Sequence, residues 1–345
     1  MAFRREAMTL SRKTRSEVDV ALAGVTRALT IAWVKSWDGL EPEFARTVAE
    51  LLSDGSGDRG ISRARIRKDE RLQFAMGRVS RTMTDLTVIA RAEVSTAVRT
   101  VVDVGDRAQR DMIAAQLPPD HHHLLAESRA GDLAALITRA SRRISVLTRA
   151  LPDLIDRRMR ETVARVAMSR LKPDTSKVLM AQVEAAFNTG LTHALMIART
   201  EALDAHREAA ALSQSRQADV LSGWVWLARL DRWTCPACFA MHGSEHPLDE
   251  MGPDGHQNCR CQRAPKAKSW KELGIDRVEL TDLIPDGQTV FRSLPKDQQL
   301  SILGPTRLDL LDRGEIEWGD LATQRQNPGW RRSYVPTPVN QLIEG

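Results

Sequence analysis

Cys235, Cys238, Cys259 and Cys261 are the only cysteines of the 345-residue chain, and all lie in TCPACFAMHGSEHPLDEMGPDGHQNCRC with three of its eight histidines. Thiols gathered this closely suit a disulfide staple, a metal site or a nucleophilic centre. Cys235 and Cys238 form a C-x-x-C pair, in which a tight turn aims two thiolates at one ion and Pro236 stiffens the turn. HQNCRC then supplies His256, Cys259 and Cys261, so five donors stand ready for the four positions of a tetrahedral zinc. In an extended segment Cys259 and Cys261 point to opposite faces. The expected ligands are therefore Cys235, Cys238, His256 and one of these two.

A catalytic zinc keeps one position for water and needs a general base close by. Nucleobase deaminases pair H-x-E with P-C-x-x-C. Here the proline lies inside the cysteine pair, and His242 and Glu245 are spaced wrongly for that site. With four or more soft donors at hand the ion is expected to be closed off and structural, leaving His242 and His246 as surface residues. No G-x-S-x-G elbow or other nucleophilic constellation flanks the segment.

The rest of the composition limits the alternatives. A chain this long buries a sizeable core without disulfides. The opening MAFRREAMTLSRKTRSEVDV is charged throughout, unlike a secretory leader, and no apolar run approaches the roughly 20 residues that span a bilayer. A reducing cytoplasm is the expected place of synthesis, with no membrane partner. The formal charge of +5 and the pI near 9.2 come from 41 arginines and 9 lysines interleaved with 45 acidic residues. Interleaving of this kind reads as a solvated mixed-charge surface before it reads as a nucleic-acid tract.

The elements that must carry the cysteine segment are helical. Val18, Leu22, Val25, Leu29, Trp33 and Trp37 recur at spacings of three and four, which predicts one buried helix face. SDGSGDRG at 53–60 reads as a break. Leu72, Met76, Val79, Met83, Leu86 and Ala90 form a second stripe that continues through Ala97 to Val101. Pro118 and Pro119 end it, and His121, His122 and His123 beyond them read as a solvated loop. Pro173 ends a further helix, and Thr175 or Ser176 caps the next, whose face carries Leu179, Val183, Phe187, Gly190, Ala194 and Ile197. From about residue 220 the pattern changes: SGWVWLARLDRWTCPAC brings three tryptophans and an alternating stretch suited to a short strand. The fold class expected is mainly α. Long helices and a helical bundle fill the N-terminal two-thirds, followed by a small α+β zinc-stapled module and a short helical C-terminal tail.

In order along the chain, ARTEA at 198–202, Trp226, LDRWTCPAC, a following HG and P-x-x-H-x-N-C-R-C form a combination that resembles the Mu F-like phage head morphogenesis family, also called minor capsid or minor head proteins. The residues that carry the resemblance are Arg199, Thr200, Glu201, Trp226, Asp231, Thr234, Cys235, Cys238, Gly243, Pro253, His256, Asn258, Cys259, Arg260 and Cys261. One departure is GPDGH, where such sequences often place a proline pair before the histidine. VFRSLPKDQQLSILGPTRLDLLDRGEIEWGDL resembles C-terminal extensions of some members, and predicts two short helices with Pro295 at a first helical position, Gly304 as a cap and Pro305 opening the second. The division expected is a helical, portal- or capsid-docking region over 1–140, a Mu F-like domain over 145–265 with its metal module at 220–265, and a C-terminal extension over 266–345.

The resemblance implies a non-enzymatic virion component, present in few copies, that acts near the portal vertex in procapsid assembly and in some cases in DNA packaging or ejection. Its implied partners are the portal protein and internal capsid or scaffold surface, with weak contact to packaged DNA, and its implied places are the head interior or portal vertex and, during assembly, the host cytoplasm. The alternatives are a DNA-binding zinc protein on the packaged genome and a metal-dependent hydrolase or nuclease at the 235–261 site.

Overall fold

The computed structural model describes residues 5–54, 60–126, 130–278, 284–326 and 332–344. Helices α1 (Arg5–Ser53), α2 (Arg63–Lys68), α3 (Glu70–Ala114), α4 (Ala130–Thr148), α5 (Leu151–Ala167) and α6 (Thr175–Ser215) come first. Strand β1 (Leu221–Leu227), helix α7 (Pro236–Ala240) and strands β2 (Glu245–His246) and β3 (Gln262–Ala267) build the cysteine module. Helices α8 (Gly287–Ser293), α9 (Lys296–Leu303) and α10 (Pro305–Asp312), the hairpin β4 (Ala322–Arg325) and β5 (Ser333–Pro336), and α11 (Val339–Glu344) complete the chain. The mainly α class with a small mixed module is therefore what the chain adopts. Most of the break at 53–60 lies outside the described residues.

The chain divides into two compact units, one of residues 20–98 and 138–202, the other of residues up to 19, 99–137 and from 203 onward. In the first, the stripes read from the sequence are buried: Trp33, Met83 and Phe187 are shielded from solvent, and the Trp37 ring packs at a tilt against Phe187, 5.2 Å between centres. Gly190 of α6 is where they close up. A Cβ there would stand 3.0 Å from Met83 of α3 and 3.2 Å from both Ile155 of α5 and Trp33 of α1. Glu201 is wholly buried and meets the guanidinium of Arg143, whose side chain reaches in from the surface.

In the second unit β1 is the centre of an antiparallel sheet of order β2-β1-β3, with Trp224 opposite both His246 and Pro265, and Trp226 opposite Arg263. Alternate strand residues face opposite ways, but all of Gly223 to Leu227 are buried because both faces are covered. Gln109 of α3 and Gln116 in the turn just after it do part of that covering. Gln109 donates to Arg263 O at 3.1 Å, and Gln116 donates to Pro265 O at 3.0 Å while accepting from Ala267 N. Two buried amides thereby satisfy strand groups that have no partner strand on that side.

Three expectations about local structure are refined, and His122 and His123 are exposed as read. His121, His122 and His123 sit in a 3-10 turn over Pro119–Leu124, where His122 and His123 bond to the Ala114 and Asp120 carbonyls. Pro118 has the extended backbone that a residue before proline prefers. Pro295 is the residue before α9, one step outside the first helical position, while Gly304 caps as expected with φ of 75° and Pro305 opens α10. The tail also does more than extend the chain. Phe291, Ile302, Leu303, Leu308, Leu311 and Leu321 bury one apolar cluster around Phe239 of α7.

Candidate metal centre

The first pair of thiols is set by a turn and a helix start. Asp231 N donates to Thr234 Oγ1 at 3.0 Å, and the Thr234 hydroxyl donates back to Asp231 Oδ1 at 3.1 Å. Cys235 then caps α7, its Sγ accepting from Cys238 N at 3.4 Å, with Pro236 at the first helical position. The C-x-x-C spacing thus becomes two sulfurs on one side of a single helical turn. Cys238 is buried at 4% exposure, and Cys235 is half-buried.

The second half is held by charge. Arg260 makes a two-pronged bond to Asp231, at 2.8 Å to Oδ2 and 2.6 Å to Oδ1, tying HQNCRC to the turn before Cys235. Partial burial works against ionising Asp231, but the Arg260 fork prevails and holds the carboxyl below its ordinary range. Beneath, the fully buried Arg207 of α6 donates to the carbonyls of Cys259 and Cys261 and to Asp204 Oδ1 at 2.8 Å. Asn258 takes φ of 61°, and Gly255 leaves the space that a Cβ would fill at 2.3 Å from Cys259 Sγ. Only glycine fits there.

His256 bonds through Nδ1 to its neighbour's carbonyl, Gln257 O, at 2.7 Å, which leaves Nε2 facing Cys235 Sγ at 3.1 Å and Cys238 Sγ at 3.5 Å. Cys238 Sγ lies 3.7 Å from Cys259 Sγ. A tetrahedral zinc with bonds of about 2.3 Å to sulfur and 2.05 Å to nitrogen requires edges of roughly 3.8 Å between sulfurs and 3.6 Å between sulfur and nitrogen. The donors stand close to those separations, so their chemistry and spacing fit a metal ion. Two sets of three donors lie mutually within 4.8 Å: Cys235, Cys238 and His256, and Cys238, Cys259 and Cys261.

The expectation that alternation sends Cys259 and Cys261 to opposite faces is therefore corrected. The left-handed residue Asn258 and the turn bond from Cys259 N to His256 O, 3.0 Å, take the segment out of extended geometry. Both sulfurs reach Cys238.

Protons are shared unevenly in this cluster. Hydrogen bonding from Cys238, then the nearby His256, draws Cys235 down to about 5, while His256, despite burial, is drawn up to about 9 by Cys235. Cys259 is also pulled well below the ordinary thiol value, first by Cys238 and then by Cys261. Cys238 is pushed up by the proton it shares with Cys235, and Cys261 is pushed up by burial. A metal ion takes the place of such shared protons.

His242 and His246 are not surface residues. His242 is buried, its Nδ1 accepts from Ala228 N at 3.0 Å, and burial together with Arg15 brings it down to about 4. His246 lies flat on Trp224 at 4.2 Å between ring centres, with Ser244 and Glu250 on its two nitrogens. Their positions come from β1 and β2 pairing, which the sequence alone does not reveal. Arg207 was missed for a related reason. Its signal was an Asp-Arg pair, three residues apart, inside the alanine-rich stretch EALDAHREAAAL.

A mainly helical protein with a thiol-rich, metal-competent knuckle anchored by a buried arginine is the class that these observations define. Residues 142–264 match the family model of the Phage Mu protein F like protein, so this segment belongs to the Mu F-like phage family. No curated protein and no solved structure matches the chain. The matched segment contains Glu201, Arg207, Asp231, Arg260 and all four cysteines. The family is one of phage head morphogenesis.

Proposed function

We propose that the chain is a structural, non-enzymatic minor head protein of a phage, acting at or near the portal during procapsid assembly, with a zinc ion stapling its cysteine module. The observation that carries this reading is the union of the family segment with a closed donor set. Cys238, Cys259 and Cys261 are each no more than 4% exposed, and Cys235 and His256 complete the group. Cys235, Cys238, His256 and Cys259 would hold the ion, with Cys261 as the alternative fourth sulfur. Zinc at such a site contributes folding energy and ties the turn of Asp231 to that of Arg260.

A docking component needs surfaces more than a reactive cleft, and its partners would be the portal and internal capsid or scaffold surface. Virion association in the head interior or at the portal vertex goes with this role. Among the described residues no helix is long and apolar enough to cross a membrane. Contact with packaged DNA ranks second, because arginines around the module already face acids: Arg229 meets Asp19 and Asp231, and Arg260 meets Asp231.

Quantitative mass spectrometry of intact particles, scoring this chain against portal and major capsid protein, tests the reading. A copy number near that of the portal is the expected result. Absence from both mature particles and procapsids would remove it.

A further inference from the structure

Within the helical unit, α2, the first turns of α3 and the second half of α5 enclose a groove of about 480 Å³. Its floor is apolar, made by Ile66, Leu72, Met76 and Val163. Arg63, Arg67 and Arg160 line it against a single carboxylate, Glu161. Arg160 is fixed in place, bonded to Asp156 at 2.7 Å and to Gln73 Oε1 at 2.6 Å. Arg63 and Arg67 are exposed and meet no acidic partner among the described residues, unlike their neighbour Arg65, which lies 4.0 Å from Asp54. They are also four residues apart on α2, one helical turn, so their side chains stand side by side about 6 Å apart at Cβ.

From this juxtaposition we infer that the groove binds an acidic amphipathic helix of a partner protein, apolar residues entering the floor and carboxylates one turn apart meeting Arg63 and Arg67. The volume suits a few side chains, within the 300–1,000 Å³ of ordinary ligand sites, and helix-in-groove recognition places anchors at i, i+3 or i+4, and i+7. Each guanidinium can take a carboxylate through two parallel N–H···O bonds, which gives the contact direction. The inference deepens the docking role proposed above and names its surface and the chemistry of its partner.

The test uses the full chain with a fluorescent peptide of about four turns, leucines at helical spacing and glutamates on the flanks, beside the same peptide with lysines for glutamates. Binding followed by anisotropy is expected for the acidic peptide, weakening as salt is raised. The double variant Arg63→Glu, Arg67→Glu should weaken it roughly tenfold or more. Because both positions are exposed, its melting curve should match that of the unaltered chain. Ala64→Trp, an exposed position on the groove wall, should block binding by occupying the space. Equal binding of the two peptides, binding unchanged by the double reversal, or saturation of the groove by laurate without competition from the acidic peptide would each overturn the inference. None of these outcomes bears on the copy number in particles, so failure here is distinguishable from failure of the assembly role.

Discussion

Around Gly190, side chains from α1, α3 and α5 converge on α6 without a charge among the atoms nearest to it, whereas around Cys259 a wholly buried arginine, an aspartate, an imidazole and four thiols are gathered. The first cluster is held by shape. Apolar burial at about 25 cal/mol per Å² is non-directional, so many side chains of the right volume serve as long as the stripe repeats at helical spacing. The second is held by direction. Each of its polar groups costs free energy if left unpaired, and Arg207 stays buried because two carbonyls and Asp204 take up its donors.

The sharpest break of the comparison is Cys238→Ser, since Cys238 belongs to both sets of donors. If the proposed metal is bound, it supplies on the order of 10 kcal/mol, so the module should unfold, read as loss of near-ultraviolet dichroism from Trp224 and Trp226 and loss of the metal. Most of the far-ultraviolet helical signal should remain. An unchanged near-ultraviolet spectrum would mean that packing alone holds the module.

A smaller effect is expected from pH at His206, in the unit that carries the module. Burial outweighs its bond to Val101 O and, with Arg207 adjacent, holds it near 4, below the ordinary 6.5. Because the folded value is the lower one, the stabilisation is complete above about pH 6.5 and is lost as pH falls from there toward 4. A shift of this size amounts to about 3 kcal/mol. Denaturant unfolding at a series of pH values should show a shallower acid decline in His206→Gln than in the unaltered chain. Identical declines would assign the loss to the thiols and other groups.

Gly190→Ala should act least, costing roughly 1 to 3 kcal/mol, because a methyl group there must push aside Met83, Ile155 and Trp33. Thermal melting measures it. No loss would show that the flexible end of Met83 yields and that shape in this core is less exacting than the close approach suggests.

The same contrast decides what was legible beforehand. Val18 to Trp37 and Leu72 to Ala90 announced their burial because a helix repeats its environment every three or four residues, and each of these residues is buried. The five donors were legible because thiols are scarce in this chain. The anchoring of Cys259 and Cys261 by Arg207, more than fifty positions away, was not, since no local pattern marks a contact of that range. His242 and His246 were misplaced for want of the strand pairing, and the β4–β5 hairpin has too short an alternation to stand out.

Tyr334 N donates to Asp254 O at 2.8 Å, and Gly255 pairs with Tyr334 as an isolated bridge just before His256. In the order of synthesis, every donor of the cluster is made before that partner, the last of them, Cys261, 73 residues ahead of Tyr334. At 5–20 residues per second the interval is roughly four to fifteen seconds. During translation the nascent chain thus presents its thiols and imidazole on a loop whose last backbone clasp does not yet exist, and the cluster is open to a cytoplasmic ion before the tail closes over it.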